Sequence, residues 1–127
     1  MINDFKLSDN FHLTEFECTH SKHRHVQVDS KLVEKLEKLR EKLGNKRILI
    51  NSAYRCKERN KQVGGALNSQ HLKGKAVDIS LRNQDLDIED IAKLAKEVGF
   101  KGIGLYNTFI HVDVRDSNSV VIWDNRK

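Results

Sequence analysis

The chain has 127 residues, 23 Lys+Arg against 18 Asp+Glu for a formal charge of +5, six histidines, two cysteines and no proline. That length suits one domain able to bury a core without staples, and aliphatic residues recur throughout, which argues against extended disorder. No apolar run approaches the roughly 20 residues that span a bilayer, and no aromatic-interleaved basic ladder of the single-strand-binding kind appears, so the expectation is no membrane insertion and no nucleic acid.

In chain order, Met1-Ile2-Asn3-Asp4-Phe5-Lys6-Leu7 lacks the basic-then-apolar plan of a secretory signal. The expected product is made in the cytoplasm without a signal peptide, as a monomer. Residues 1–28 read as an irregular arm laid on the domain by Phe5, Leu7, Phe11, Leu13 and Phe16. Within the arm, Cys18, His20, His23 and His25 are ligand types of a second, structural zinc. Their spacing matches no closed four-ligand set, and a basic surface loop is the simpler account. Cys18 and Cys56 permit one disulfide; without an export signal they are expected to stay thiols.

Asp29 or Ser30 caps a helix with its stripe at Leu32, Val33, Leu36, Leu39 and Leu43, stopped by Gly44-Asn45. Its lysines alternate with Glu34, Glu37 and Glu41, the pattern of a solvated face. Arg47 to Ser52 reads as a buried strand, Cys56 to Val63 as a short helix, and Ala76 to Leu81 as a strand. Asp85 and Asp87 precede a second long helix, Ile88 to Val98, closed by Gly99. Phe100 to Tyr106, Phe109 to Arg115 and Val120 to Trp123 read as further strands, with Trp123 packing. Two longer helices among short, locally arranged strands predict an α+β fold: a single domain over residues 1–127, a small antiparallel sheet with helices packed on it.

The chemistry concentrates in Ser69-Gln70-His71-Leu72-Lys73-Gly74-Lys75-Ala76-Val77-Asp78 and Phe109-Ile110-His111-Val112-Asp113. Imidazole and carboxylate are the ligands zinc accepts in a catalytic site, where three protein groups leave a fourth position for water, and His71, Asp78 and His111 make such a set. On the second strand Phe109, His111, Asp113 and Arg115 share one face, while Ile110, Val112 and Val114 share the other. Gly74 supplies the tight turn between the first two ligands, and Ala76 keeps that strand face open. Arg55, at a strand end beside the cleft, suits either a surface salt bridge or a grip on a substrate carboxylate or developing oxyanion. Tyr106 reads as either core or cleft.

The pattern S-x-H-x-x-G-x-A-x-D followed by a strand bearing H-x-D resembles the zinc peptidases of the D-alanyl-D-alanine carboxypeptidase family. That group includes D-Ala-D-Ala dipeptidases and phage L-alanyl-D-glutamate endolysins and shares its fold with the Hedgehog signalling domain. Asn51 to Cys56, Asn60, Val63 to Ala66 and Gly102 to Tyr106 extend the similarity over nearly the whole chain. The resemblance implies a zinc ion on His71, Asp78 and His111, and a catalytic or substrate-binding Arg55. It also implies substrate contacts at Tyr54, Ser69 and Tyr106, and a peptidoglycan stem peptide containing D-amino acids as substrate. The site of action would be the bacterial cell wall, whose anionic polymers suit the basic charge. In many relatives a carboxylate sits three residues before the last ligand; here that position is Thr108. Asp113 is the replacement base, or else the group that orients a ligand histidine. A wall-binding module that keeps zinc without turnover is the alternative function.

Overall fold

A computed structural model describes residues 5–18, 26–66 and 69–127. His20, His23 and His25, the histidines weighed with Cys18 for a second zinc or a basic surface loop, lie outside those residues. Helix α1 (Ser30–Lys42) starts where Asp29 accepts a hydrogen bond from the Lys31 backbone N–H, and Gly44 and Asn45 end it with positive φ. Strand β1 (Ile50–Ser52) is shorter than the sequence pattern suggests, and α2 (Lys57–Gln62) follows it. A 3-10 turn, Gln70–Lys73, leads into β2 (Ala76–Ser80). Then come α3 (Ile88–Val98), β3 (Gly102–Leu105), β4 (Phe109–Asp113) and β5 (Val121–Asp124). Asp87 precedes α3, but its side chain makes no capping bond; Glu89 and Asp90 supply the acidic first turn.

The sheet runs β1-β2-β4-β3-β5, and the fold is α+β as the pattern predicts. Its pairings are antiparallel except the last, where β5 runs parallel to β3. The alternation along β2 and β4 divides the sheet chemically. Val77, Ile79, Ile110 and Val112 are buried in one cluster with Leu32, Leu36 and Leu39 of α1 and Ile91, Ala95 and Val98 of α3. The arm contributes Phe11 and Phe16 to that cluster, packed edge to face 6.2 Å apart, whereas Phe5 and Leu7 are exposed and do not anchor it.

The other face carries a row of side chains across all five strands. Ser52 pairs with Asp78, Asp78 with His111, His111 with Gly104, and Gly104 with Trp123. One step along, Asp113 lies between Ala76 and Gly102. The small residues have a steric reason: a Cβ on Gly102 would lie within 2.4 Å of both Asp113 carboxylate oxygens, and one on Gly104 within 2.5 Å of the Trp123 indole. Ala76 therefore gives room to a buried carboxylate rather than keeping the face open.

Leu36 is fully buried between helix and sheet. Leu36→Ala is expected to cost about 2–5 kcal/mol, the range for a large-to-small change in a packed core, read as a lowered urea midpoint with unchanged slope. A loss below about 1 kcal/mol would contradict this packing.

Candidate metal centre

Asp78 and His111 face each other because β2 and β4 pair in register, and His71 reaches them from the 3-10 turn. Ser69 Oγ accepts from the His71 backbone N–H at 3.2 Å. Gly74 closes the turn in the left-handed region at φ 69°, where a Cβ would also strike the Gln27 carbonyl at 2.3 Å. One donor atom from each of His71, Asp78 and His111 lies within 4.8 Å of the other two, and all three residues are buried. No other such group of three or more His, Cys, Asp or Glu occurs among the described residues.

The hydrogen-bond partners assign the tautomers. His71 Nδ1 is 2.6 Å from the Ala53 carbonyl oxygen, which only accepts, so Nδ1 carries a proton. His111 Nε2 is 2.7 Å from Asp113 Oδ2, so that nitrogen also donates. The remaining nitrogens, His71 Nε2 and His111 Nδ1, each lie 3.1 Å from Asp78 Oδ1. Three electron-rich atoms at that spacing need a positive charge among them, either a proton on each imidazole or a metal ion. Two imidazole lone pairs and one carboxylate oxygen, each ring held from behind by an acceptor, fit a zinc ion.

The surroundings fix each donor. Arg55 Nη2 donates to Asp78 Oδ2 at 3.2 Å, its Nε to Ser52 Oγ and its Nη1 to Asn60 Oδ1, so Arg55 occupies Oδ2 and leaves Asp78 Oδ1 facing the two imidazoles. Asn60 is itself held by the Ala66 carbonyl. Asp113, with no solvent exposure, accepts from Arg115 Nε and Nη2 at 2.9 and 2.7 Å as well as from His111. Burial works to raise the carboxyls of Asp78 and Asp113, but hydrogen bonds from His111 and His71 to the first, and from Arg115 and His111 to the second, hold both well below the usual range. For His111 burial works to lower the pKa, and its bonds to Asp113 and Asp78 outweigh that and raise it above 6.5.

A cleft of about 700 Å³ opens over the row and is lined by Ser52, Asp78, His111 and Trp123, together with His71. Arg55, Ser69 and Tyr106 line it too, while Tyr54 and Asp113 do not. Tyr106 stacks on Phe109 at 4.4 Å, and its hydroxyl accepts from Trp123 Nε1 at 3.0 Å. Trp123 packs, as its sequence context predicts, 5.1 Å from the His111 ring, and it is also a cleft wall. Thr108 is exposed at the edge of β4. A larger depression of about 850 Å³, lined by Lys31, Lys35 and Lys101 among others, holds no comparable set of metal donors.

A model of the peptidase M15 family matches residues 9–113, the stretch that contains His71, Asp78 and His111. The chain belongs to the peptidase M15 family. A relative, the zinc D-Ala-D-Ala carboxypeptidase of Streptomyces albus G, is 36% identical over 69 residues. That alignment covers 54% of this M15 chain and 26% of the relative.

Asp113→Asn keeps the shape of the M15 site but replaces the charged acceptor behind His111. Zinc affinity, measured by competition with a chromophoric chelator, is expected to fall about 10- to 100-fold; normal affinity with lost turnover would instead mean that Asp113 acts on substrate. In the chelated protein, the raised His111 pKa means that its cation stabilises the fold fully below pH 6.5 and that this contribution is lost as pH rises through the folded value. The melting temperature of the chelated protein should therefore be lower at pH 8.5 than at pH 6. A flat or rising profile would contradict that sign.

Proposed function

We propose that the chain is a zinc-dependent peptidase that hydrolyses D-amino-acid-containing peptide bonds of peptidoglycan, acting in the bacterial cell wall. The observation that carries this reading is the convergence of His71, Asp78 and His111 at the floor of an open cleft in an M15 family chain. The relative's name, a zinc D-Ala-D-Ala carboxypeptidase, supports both the metal and the substrate class. The bond is either the terminal D-Ala-D-Ala, as in a carboxypeptidase, or an internal one, as in an endolysin-type endopeptidase.

Zinc in this position supplies a Lewis acid for the scissile carbonyl and a water whose pKa falls to about 7. The chain's own residues do the rest. Arg55 orients Asp78 with one of its five N–H donors and retains two beyond its three bonds, available to the oxygen on which charge develops. Asp113 keeps the proton on His111 Nε2 and so the lone pair on Nδ1; with no exposure and no place in the cleft wall, it acts as a positioning residue. Ser69 holds the His71 turn, and Tyr106, with Phe109 and Trp123, offers an aromatic wall for the substrate's apolar surface.

One observation favours the second reading, a wall-binding module without turnover. Among the described residues, Asp78 is the sole carboxylate lining the cleft, so the usual carboxylate base for amide hydrolysis is missing from its walls.

Mass spectrometry of muropeptides before and after incubation decides between them. Zinc-loaded protein is expected to release new amine termini next to a D-amino acid, a chelator to stop release, and added zinc to restore it. Tight sedimentation with peptidoglycan and no new termini would overturn the peptidase in favour of the module.

A further inference from the structure

Three guanidinium groups line the metal cleft against one carboxylate among the described residues: Arg55, Arg59 and Arg115 against Asp78. Two of the cations are committed. Arg55 is bonded to Asp78, Ser52 and Asn60. Arg115 meets Asp113 through two parallel N–H···O bonds, a bidentate pair that neutralises both groups, and lies 5.3 Å from the Trp123 ring centre.

Arg59 differs. It projects from α2, is half-buried, and its guanidinium makes a single bond among the described residues, from Nη1 to the neutral Gln62 Oε1 at 3.3 Å. No described carboxylate pairs with it. A fully solvated arginine needs no partner, but one partly withdrawn into a cleft whose sole described carboxylate is already shared by Arg55 and two histidines keeps a positive charge, not ion-paired with any described carboxylate, facing the ligand space. Its planar fork matches a carboxylate in two-bond geometry.

We propose that Arg59 forms a carboxylate subsite: it pairs with a carboxylate of the bound peptide and sets which end of the substrate lies on the α2 side of the metal centre. This rests on the peptidase reading above and deepens it. An anionic peptide is selected over its neutral amide, and the selection acts on binding rather than on the chemical step, because the one hydrogen bond of the Arg59 guanidinium among the described residues goes to Gln62 and not to a metal donor or a group that orients one.

The test uses the zinc-loaded chain and three soluble stem pentapeptides: all carboxylates free, only the C-terminal carboxylate amidated, and all carboxylates amidated. Affinity is read as KM where turnover occurs and by calorimetry where it does not. The parent protein should prefer the free peptide over the fully amidated one by about two- to fivefold, the size expected for a half-exposed charge pair, with kcat changed less than about twofold. The peptide amidated only at its C-terminus identifies which carboxylate is bound. Arg59→Gln should abolish the preference, and Arg59→Lys should retain part of it. Absence of a preference in the parent protein, or an undiminished one in Arg59→Gln, would overturn the subsite. Release of amines from whole peptidoglycan by the parent protein judges the peptidase reading separately.

Discussion

The cross-strand pair Asp78–His111 is the constraint on which the rest of the structure depends. Residues directly opposite in an antiparallel ladder have Cβ atoms roughly 4.5–5.5 Å apart, which brings Asp78 Oδ1 and His111 Nδ1 together without any loop having to position them. A slip of one residue would turn both side chains to the opposite face. The register is held by the apolar side of the same strands, where Val77, Ile79, Ile110 and Val112 are buried under α1 and α3. Core packing and metal geometry are thus two faces of one pairing, and a core lesion that loosens β2 against β4 would reach the site directly.

Keeping a buried polar face costs desolvation that only well-made partners offset. Here every charged member has them. Asp78 is shared by Arg55 and two histidines, Asp113 by Arg115 and His111, and His71 leans on the Ala53 carbonyl. Space comes from residues with little or no side chain: Gly102 and Ala76 beside Asp113, Gly104 beneath Trp123. The glycines of β3 are therefore part of the site although they carry no chemistry.

Much of this was legible in the sequence because it rests on short-range rules. Alternation put His111 and Asp113 on one face of a strand, Gly74 marked the turn that brings His71 back, and stripes with caps and glycine stops located α1 and α3 closely. The strand starting at Arg47 proved shorter, because regular pairing with β2 begins only at Ile50. What could not be read is long-range pairing. The parallel addition of β5 to β3 places Trp123 beside His111, and nothing local to Val120–Trp123 distinguishes that from ordinary packing. Gly102 and Gly104, two residues apart on one strand face, were the available signal that something large lies against them. The burial of Asp113 beneath Arg115 is likewise a property of the assembled sheet.

The central claim is that two imidazoles and one carboxylate share a single ion. Anomalous diffraction at the zinc edge from crystals of the zinc-loaded protein tests it most directly. The account predicts one peak bonded to His71 Nε2, Asp78 Oδ1 and His111 Nδ1, with His111 Nε2 still donating to Asp113. A peak elsewhere, or none between those three side chains, would contradict it.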